Sequence, residues 1–223
     1  MTEFVQSGKR RTYRAGELLL TEGQKVDHIY DVVSGTISVA RNGRDGSRQV
    51  LAFMGARQFF GAASTPRYPN FITALTDVEV LAYPKADVEK ALAASSQFAT
   101  GFQRTLIGII ESRDDQIFTI GQRTAVGRVA SFLLHLRTNQ ARFSATLPRE
   151  KSARIALPMT RIDISDYLGV SVETVSRAFS ALRKEGVISF TDSFSCEIVN
   201  LNKLRDYGGR DDFTEHRGAL QDN

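Results

Sequence analysis

Sixteen residues, Ile164-Ser-Asp-Tyr-Leu-Gly-Val-Ser-Val-Glu-Thr-Val-Ser-Arg-Ala-Phe179, constrain this chain more than any other stretch. Their spacing predicts two short helices joined at Gly169, a residue that tolerates φ > 0 at a tight turn. Ile164, Leu168, Val170 and Val175 would hold the helices together, and Ser171 is a good N-cap for a helix starting at Val172. From there Val172, Val175, Ala178/Phe179 and Leu182 form a stripe to bury. Glu173, Ser176, Arg177 and Ser180 recur at i, i+3, i+4 and i+7 and share the opposite face, next to Ser171 and Thr174 at the helix start. An acidic acceptor and a bidentate donor one turn apart are equipped to read base edges in a major groove. Taken alone, Glu173 and Arg177 are also an ordinary surface pair worth a few tenths of a kcal/mol.

The residues beyond Phe179 favour the nucleic-acid reading. Leu182-Arg-Lys-Glu-Gly186 ends the helix with basic residues in its last turn and a glycine beyond. Val187-Ile-Ser-Phe190 and Cys196-Glu-Ile-Val199 alternate as strands around Thr191-Asp-Ser, a β-hairpin wing. Charge is distributed to match. Residues 123–184 carry 11 Lys/Arg against 4 Asp/Glu, whereas residues 1–122 carry 14 against 13 and residues 185–223 carry 4 against 8. The positive excess lies where phosphate contacts would be needed, although a solvated basic face would give the same count.

At 223 residues the chain can hold two modest domains. No apolar run approaches ~18 residues, so no membrane span is expected, and the first ten residues lack the apolar stretch of a secretory signal. A single cysteine, Cys196, excludes an internal disulfide and an iron–sulfur cluster held by cysteines of one chain. A cytoplasmic protein is expected.

The first half alternates and turns at short intervals. Glu17–Thr21, His28–Val33, Thr36–Ala40, Arg48–Phe53 and Val78–Ala82 read as strands punctuated by Gly16, Gly23, Gly35, Gly43, Gly46, Gly55 and Gly61, a jelly-roll pattern. Here Arg14-Ala-Gly-Glu17, Glu22-Gly23 and Val33-Ser-Gly-Thr-Ile37, with the winged domain behind them, closely resemble the CRP/FNR superfamily of bacterial transcription regulators over about residues 12–205. Leu157-Pro-Met-Thr-Arg-Ile-Asp-Ile-Ser-Asp-Tyr-Leu-Gly-Val-Ser-Val-Glu-Thr-Val-Ser-Arg177 is most similar to the FNR/FixK branch. The fold class is then α+β: an N-terminal β-roll of the cyclic-nucleotide-binding kind (1–97), a long dimerisation helix (98–138) and a C-terminal winged helix-turn-helix (139–223).

The departures from the family pattern bear on cofactors. Nucleotide-binding members follow Phe-Gly with Glu and later place an Arg-Ser or Arg-Thr pair on the phosphate. This chain has Phe60-Gly61-Ala62 and Tyr68-Pro69-Asn70, with Arg67 one position out of register. Residues 1–30 contain no cysteine, so the branch's iron–sulfur sensor is not expected either. His28, His135 and His216 lack metal-ligand spacing and read as structural residues, with haem a minor alternative. No catalytic grouping is present, and no enzyme is expected.

Between the domains, Phe98–Leu136 contains no proline and reads as one long helix. Leu106, Ile110, Ile117 and Ile120 follow 4-3-4-3 spacing if Arg113 fills the missing slot, a coiled-coil seam interrupted by a charge. A single apolar stripe packed on its own β-roll would look the same. The resemblance implies a homodimer, and Asp115 beside the seam would weaken it if two copies met. Polar, basic Asn139–Ile155 reads as a hinge. The resemblance further implies a transcription activator that binds double-stranded DNA at an inverted repeat of TTGA-type half-sites and works with RNA polymerase. Its genes would concern low-oxygen, nitrogen-oxide or nitrogen-fixation metabolism. The rival expectation is a sensor whose DNA binding depends on a captured small molecule.

Overall fold

The computed structural model describes residues 6–143, 154–192 and 194–209. It divides into two compact units, Met1–Gln116 and Ile117–Asn223.

In the first unit, eight antiparallel strands build two four-stranded sheets. One has the order β1 (Lys9–Tyr13), β8 (Val78–Pro84), β3 (His28–Ser34), β6 (Phe59–Phe60), the other β2 (Leu18–Leu20), β7 (Phe71–Ala74), β4 (Ile37–Asn42), β5 (Arg48–Met54). Val32, Val80 and Ala82 from the first sheet meet Leu20, Ile37, Val39 and Ile72 from the second in one buried cluster. Each large aliphatic side chain removed from water there contributes about 1.5–3 kcal/mol. A second cluster, Ile29, Phe59, Tyr83, Val88 and Phe98, buries α1 (Lys85–Ala94) and the start of α2 (Ser96–Gln122), with Phe102 and Ile109 packed against it.

All five expected strands of the roll are present to within two residues at either end. Three more, β1, β6 and β7, go beyond that expectation. Lys9-Arg-Arg-Thr-Tyr13 carries none of the alternation that marks a half-buried strand, because β1 is a sheet edge and its charges keep that edge from pairing with another chain. The helix expected over 98–136 is two helices. α2 ends at Gln122 and α3 (Ala125–Phe143) begins after Thr124, whose Oγ1 accepts from the amide of Gly127 at 3.2 Å. A threonine N-cap inside a long helical pattern is the signal for that break.

In the second unit α3, α4 (Arg161–Leu168) and α5 (Val172–Lys184) pack together, followed by β10 (Ile188–Asp192), β11 (Ser195–Ile198) and α6 (Leu201–Gly208). The wing has a third strand. β9 (Arg154–Ala156) pairs antiparallel with β11, giving the order β10-β11-β9. The expected hinge 139–155 is therefore helix through Phe143 and strand from Arg154, and its residues 144–153 lie outside the described ones.

Candidate nucleic-acid interface

Helix α4 starts on a capping box: Thr160 Oγ1 accepts from the amide of Asp163 at 3.1 Å, and Asp163 Oδ2 accepts from the amide of Thr160 at 2.9 Å. It ends at Gly169, whose φ of 63° and ψ of 41° are left-handed and whose amide reaches Ser165 O at 2.9 Å. Two residues on, Ser171 caps α5 by accepting from the amide of Thr174 at 3.2 Å. Gly169-Val170-Ser171 is thus a three-residue turn between helices, fixed at both ends by main-chain hydrogen bonds. Helix α5 ends in a Schellman motif: the amide of Gly186 donates to Arg183 O and that of Val187 to Leu182 O.

Ile164, Leu168, Val175, Ala178, Phe179 and Leu182 are buried, whereas Val170 and Val172 are only partly so. Opposite that stripe, Ser171, Glu173, Ser176, Arg177 and Ser180 are exposed and Thr174 is partly covered. Hydrogen bonds from its own amide and from the Ser171 hydroxyl, with Arg177 nearby, hold the Glu173 carboxyl below the usual carboxylate range, so it is an acceptor at neutral pH. Arg177 Nε donates to Glu173 O at 3.4 Å, which lays the guanidinium along the exposed face of the helix. Arg183 and Lys184 close that helix with positive charge.

The wing carries a group that the sequence pattern does not single out. Arg154 on β9 bonds Asp192 Oδ2 at 2.7 Å and Ser195 Oγ at 3.1 Å, and Asp192 Oδ1 accepts from the amide of Phe194 at 2.8 Å. The hairpin tip is thereby held from a strand some 40 residues away in sequence, a partnership no local pattern announces. Cys196 is fully buried, and burial pushes its thiol up to about 11.

Along α2, Leu106, Ile110 and Ile117 are exposed, the last at 69%, together with Ile107 and Phe118. Ile120 is turned elsewhere: its Cγ2 lies beside Gly169 of the helix-helix turn. Arg113 does not fill the vacant seam position either, since its guanidinium donates to Leu51 O on the β-roll. Asp114 and Asp115 are both exposed, and helical spacing from Ile107, Ile110 and Ile117 puts Asp114 rather than Asp115 among the exposed apolar side chains.

In the roll, Gly61 has φ of 91°, and a Cβ there would meet His28 O, a ring carbon of Tyr30 and the hydroxyl of Tyr68. Tyr68 is buried and donates to His28 O at 2.6 Å, while Tyr30 stacks on Phe60 at 4.9 Å. Arg67 donates to Gly23 O at 2.7 Å. Among the described residues no three His, Cys, Asp or Glu side chains are grouped to hold a metal, and no helix is long and apolar enough to cross a membrane. His135 is paired with Asn139 at 2.8 Å, and His216 lies outside the described residues.

Comparison with known proteins agrees with this geometry. The Crp-like helix-turn-helix domain family matches residues 127–207, and the cyclic nucleotide-binding domain family matches residues 10–95. The transcriptional activator protein FnrL of Cereibacter sphaeroides is 26% identical over 90% of this chain and 81% of its own length. The nitrogen fixation regulation protein FixK of Rhizobium meliloti is 28% identical, covering 87% and 84%. Among solved structures, FixK2 from Bradyrhizobium japonicum has a TM-score of 0.80 at 30% identity, with 90% of this chain and 96% of that one covered. With a two-sheet roll, a long helix and a capped helix-turn-helix carrying its polar residues outward, this chain belongs to the FNR/FixK branch of the CRP/FNR family and is a DNA-binding transcription regulator.

Proposed function

We propose that two copies of the chain bind an inverted repeat of TTGA-type half-sites, each inserting α5 into a major groove about one helical turn from the other. Arg177 donates two hydrogen bonds to a guanine, Glu173 accepts from the amino group of a cytosine, and Ser176 reaches a neighbouring thymine or phosphate. Ser171 and Thr174 stand at the positive end of the α5 dipole, where a phosphate is favoured. The observation that carries this reading is the exposure of Glu173, Ser176 and Arg177 on one face of a helix whose other face is buried. Pairing of the chains uses Leu106, Ile110 and Ile117 of α2, within the division 1–97, 98–138 and 139–223. Names such as FnrL and FixK among the relatives favour activation of low-oxygen or nitrogen-fixation genes, in the cytoplasm and with RNA polymerase.

No cyclic nucleotide takes part. Ala62 offers no side-chain acceptor to a ribose, and Tyr68, which stands where the resemblance expects a phosphate-binding pair, donates its buried hydroxyl to His28 O beside Gly61.

Selection of bound sequences from random DNA tests the site, and titration of Arg177→Ala tests the helix. The substitution is expected to cost about 1–3 kcal/mol on the selected repeat and to relax preference at one guanine. Salt-dependent non-specific binding stays, since Arg183, Lys184 and other basic residues remain. Wild-type affinity in Arg177→Ala would mean that α5 does not read the bases.

A further inference from the structure

Two helix C-termini converge on one guanidinium. Arg128, in the first turn of α3, donates from Nε to Arg123 O at 3.1 Å, just past the end of α2, and from Nη1 to Leu168 O at 3.0 Å, the last residue of α4. Carbonyls at a helix end have no intrahelical partner and carry the negative end of the helix dipole, so a fixed cation there satisfies both needs. Arg128 does this for α2 and α4 together. A planar fork with donors pointing in divergent directions suits the task, and a single ammonium does not.

The surroundings make this junction stiff. Ile120, in the last turn of α2, has its Cγ2 next to Gly169. Thr119 Oγ1 and Ser131 Oγ lie 3.3 Å apart across α2 and α3, and the rings of Phe132 on α3 and Tyr167 on α4 are 5.6 Å apart. Leu168 is followed by the turn Gly169-Val170-Ser171, and Ser171 begins α5. The Arg128 bond therefore holds the residue from which the DNA-reading helix is launched, and ties it to the end of the helix proposed to pair the two chains.

We infer that Arg128 is the positioning residue that sets α5 relative to the end of α2, and through it the spacing of half-sites that a dimer accepts. The inference rests on the dimeric reading above. One base pair of spacer shifts a half-site by about 3.4 Å and rotates it by about 35°. A dimer with a stiff junction therefore discriminates between spacers, and one with a loose junction does not.

The test compares wild type, Arg128→Met, which keeps the apolar stem, and Arg128→Lys, which keeps the charge. Each is titrated with a duplex holding one half-site and with inverted repeats at the preferred spacer and one base pair longer or shorter. Wild type is expected to prefer its spacer by about tenfold. In Arg128→Met, single-half-site affinity stays within about twofold of wild type while the spacer preference falls to about twofold. Arg128→Lys, with one carbonyl still reachable, falls between and carries the test if the methionine variant does not fold. Unchanged spacer preference in both variants would overturn the inference. So would half-site affinity and melting temperature falling together, which is the mark of a residue that only holds the domain's fold. Absence of any spacer preference in wild type would instead strike the dimeric reading, and the inference with it.

Discussion

Arg161 places its guanidinium 3.6 Å from the centre of the Phe179 ring and 5.3 Å from that of Phe190, against two rings that themselves meet where α5 packs on the wing. Such a contact is worth about 2 kcal/mol when desolvated, and burial lowers the pKa of this arginine without discharging it. Under it lies Cys196, whose thiol is raised from 9.0 to about 11, chiefly by burial, with Arg161 opposing the rise and Glu197 adding to it. An unfolded chain ionises this thiol near 9.0 while the folded one keeps it protonated. Its contribution to stability is therefore complete below pH 9 and is lost as pH rises towards 11. Denaturation of wild type and Cys196→Ser from pH 7 to 11 should show wild type losing stability relative to the variant only above pH 9. At neutral pH the serine variant is expected to be less stable by about 1–3 kcal/mol, from a buried hydroxyl. Peroxide should leave DNA affinity unchanged, since the thiolate is rare and covered. Reversible loss of binding in peroxide that Cys196→Ser abolishes would refute this.

Helices and strands are legible wherever a local pattern matches a local constraint. The turn glycine, the Ser171 cap and the α5 stripe follow from spacing alone, and Thr160-x-x-Asp163 is an equally local signal for the start of α4. The elements that escape such a reading are those whose reason lies far off in sequence. Strand β9 exists because Cys196 and Glu197 offer it a partner edge, and Arg128 gains its meaning from a carbonyl 40 residues later. The α2 seam illustrates the same limit. Heptad spacing groups Ile117 with Ile120, yet Ile117 is 69% exposed and Ile120 abuts Gly169, because residues three apart point about 60° away from each other around a helix. Leu106, Ile107, Ile110, Ile117 and Phe118 are the exposed large apolar side chains of α2, and the pairing proposed above rests on them. Ile110→Glu is expected to give monomers by sedimentation with unchanged helix content. Affinity for the inverted repeat should drop by about a hundredfold while single-half-site binding persists. Dimers at micromolar concentration in that variant would move the pairing surface elsewhere.

For the whole molecule, the tension is that one half has the architecture of a cyclic nucleotide-binding domain, while Ala62 and Tyr68-Pro69-Asn70 stand where the resemblance places nucleotide contacts. Strand order, the Gly61 turn and the stacked Tyr30–Phe60 pair preserve the roll, since its two-sheet core is needed for stability whatever it binds. Recognition of a cyclic nucleotide asks for more: an acceptor for the ribose hydroxyl and a guanidinium for the phosphate. Ala62 brings no side-chain acceptor for the first, and Arg67, one position out of register, donates to Gly23 O. Tyr68 contributes an aromatic ring instead, buried and tethered to His28 O, and desolvation pushes its phenol up to about 12, so it stays a neutral donor throughout the physiological range. Displacing it would break a 2.6 Å hydrogen bond and expose an apolar ring. A ligand that binds only the folded chain raises stability by about 2.7 kcal/mol at a hundredfold excess over its dissociation constant. Millimolar cyclic AMP is therefore expected to leave the melting temperature and the DNA titration of wild type where they were. A saturable rise in melting temperature, lost when Tyr68 is replaced by alanine, would show that the roll still receives a nucleotide and that Tyr68 is part of its site.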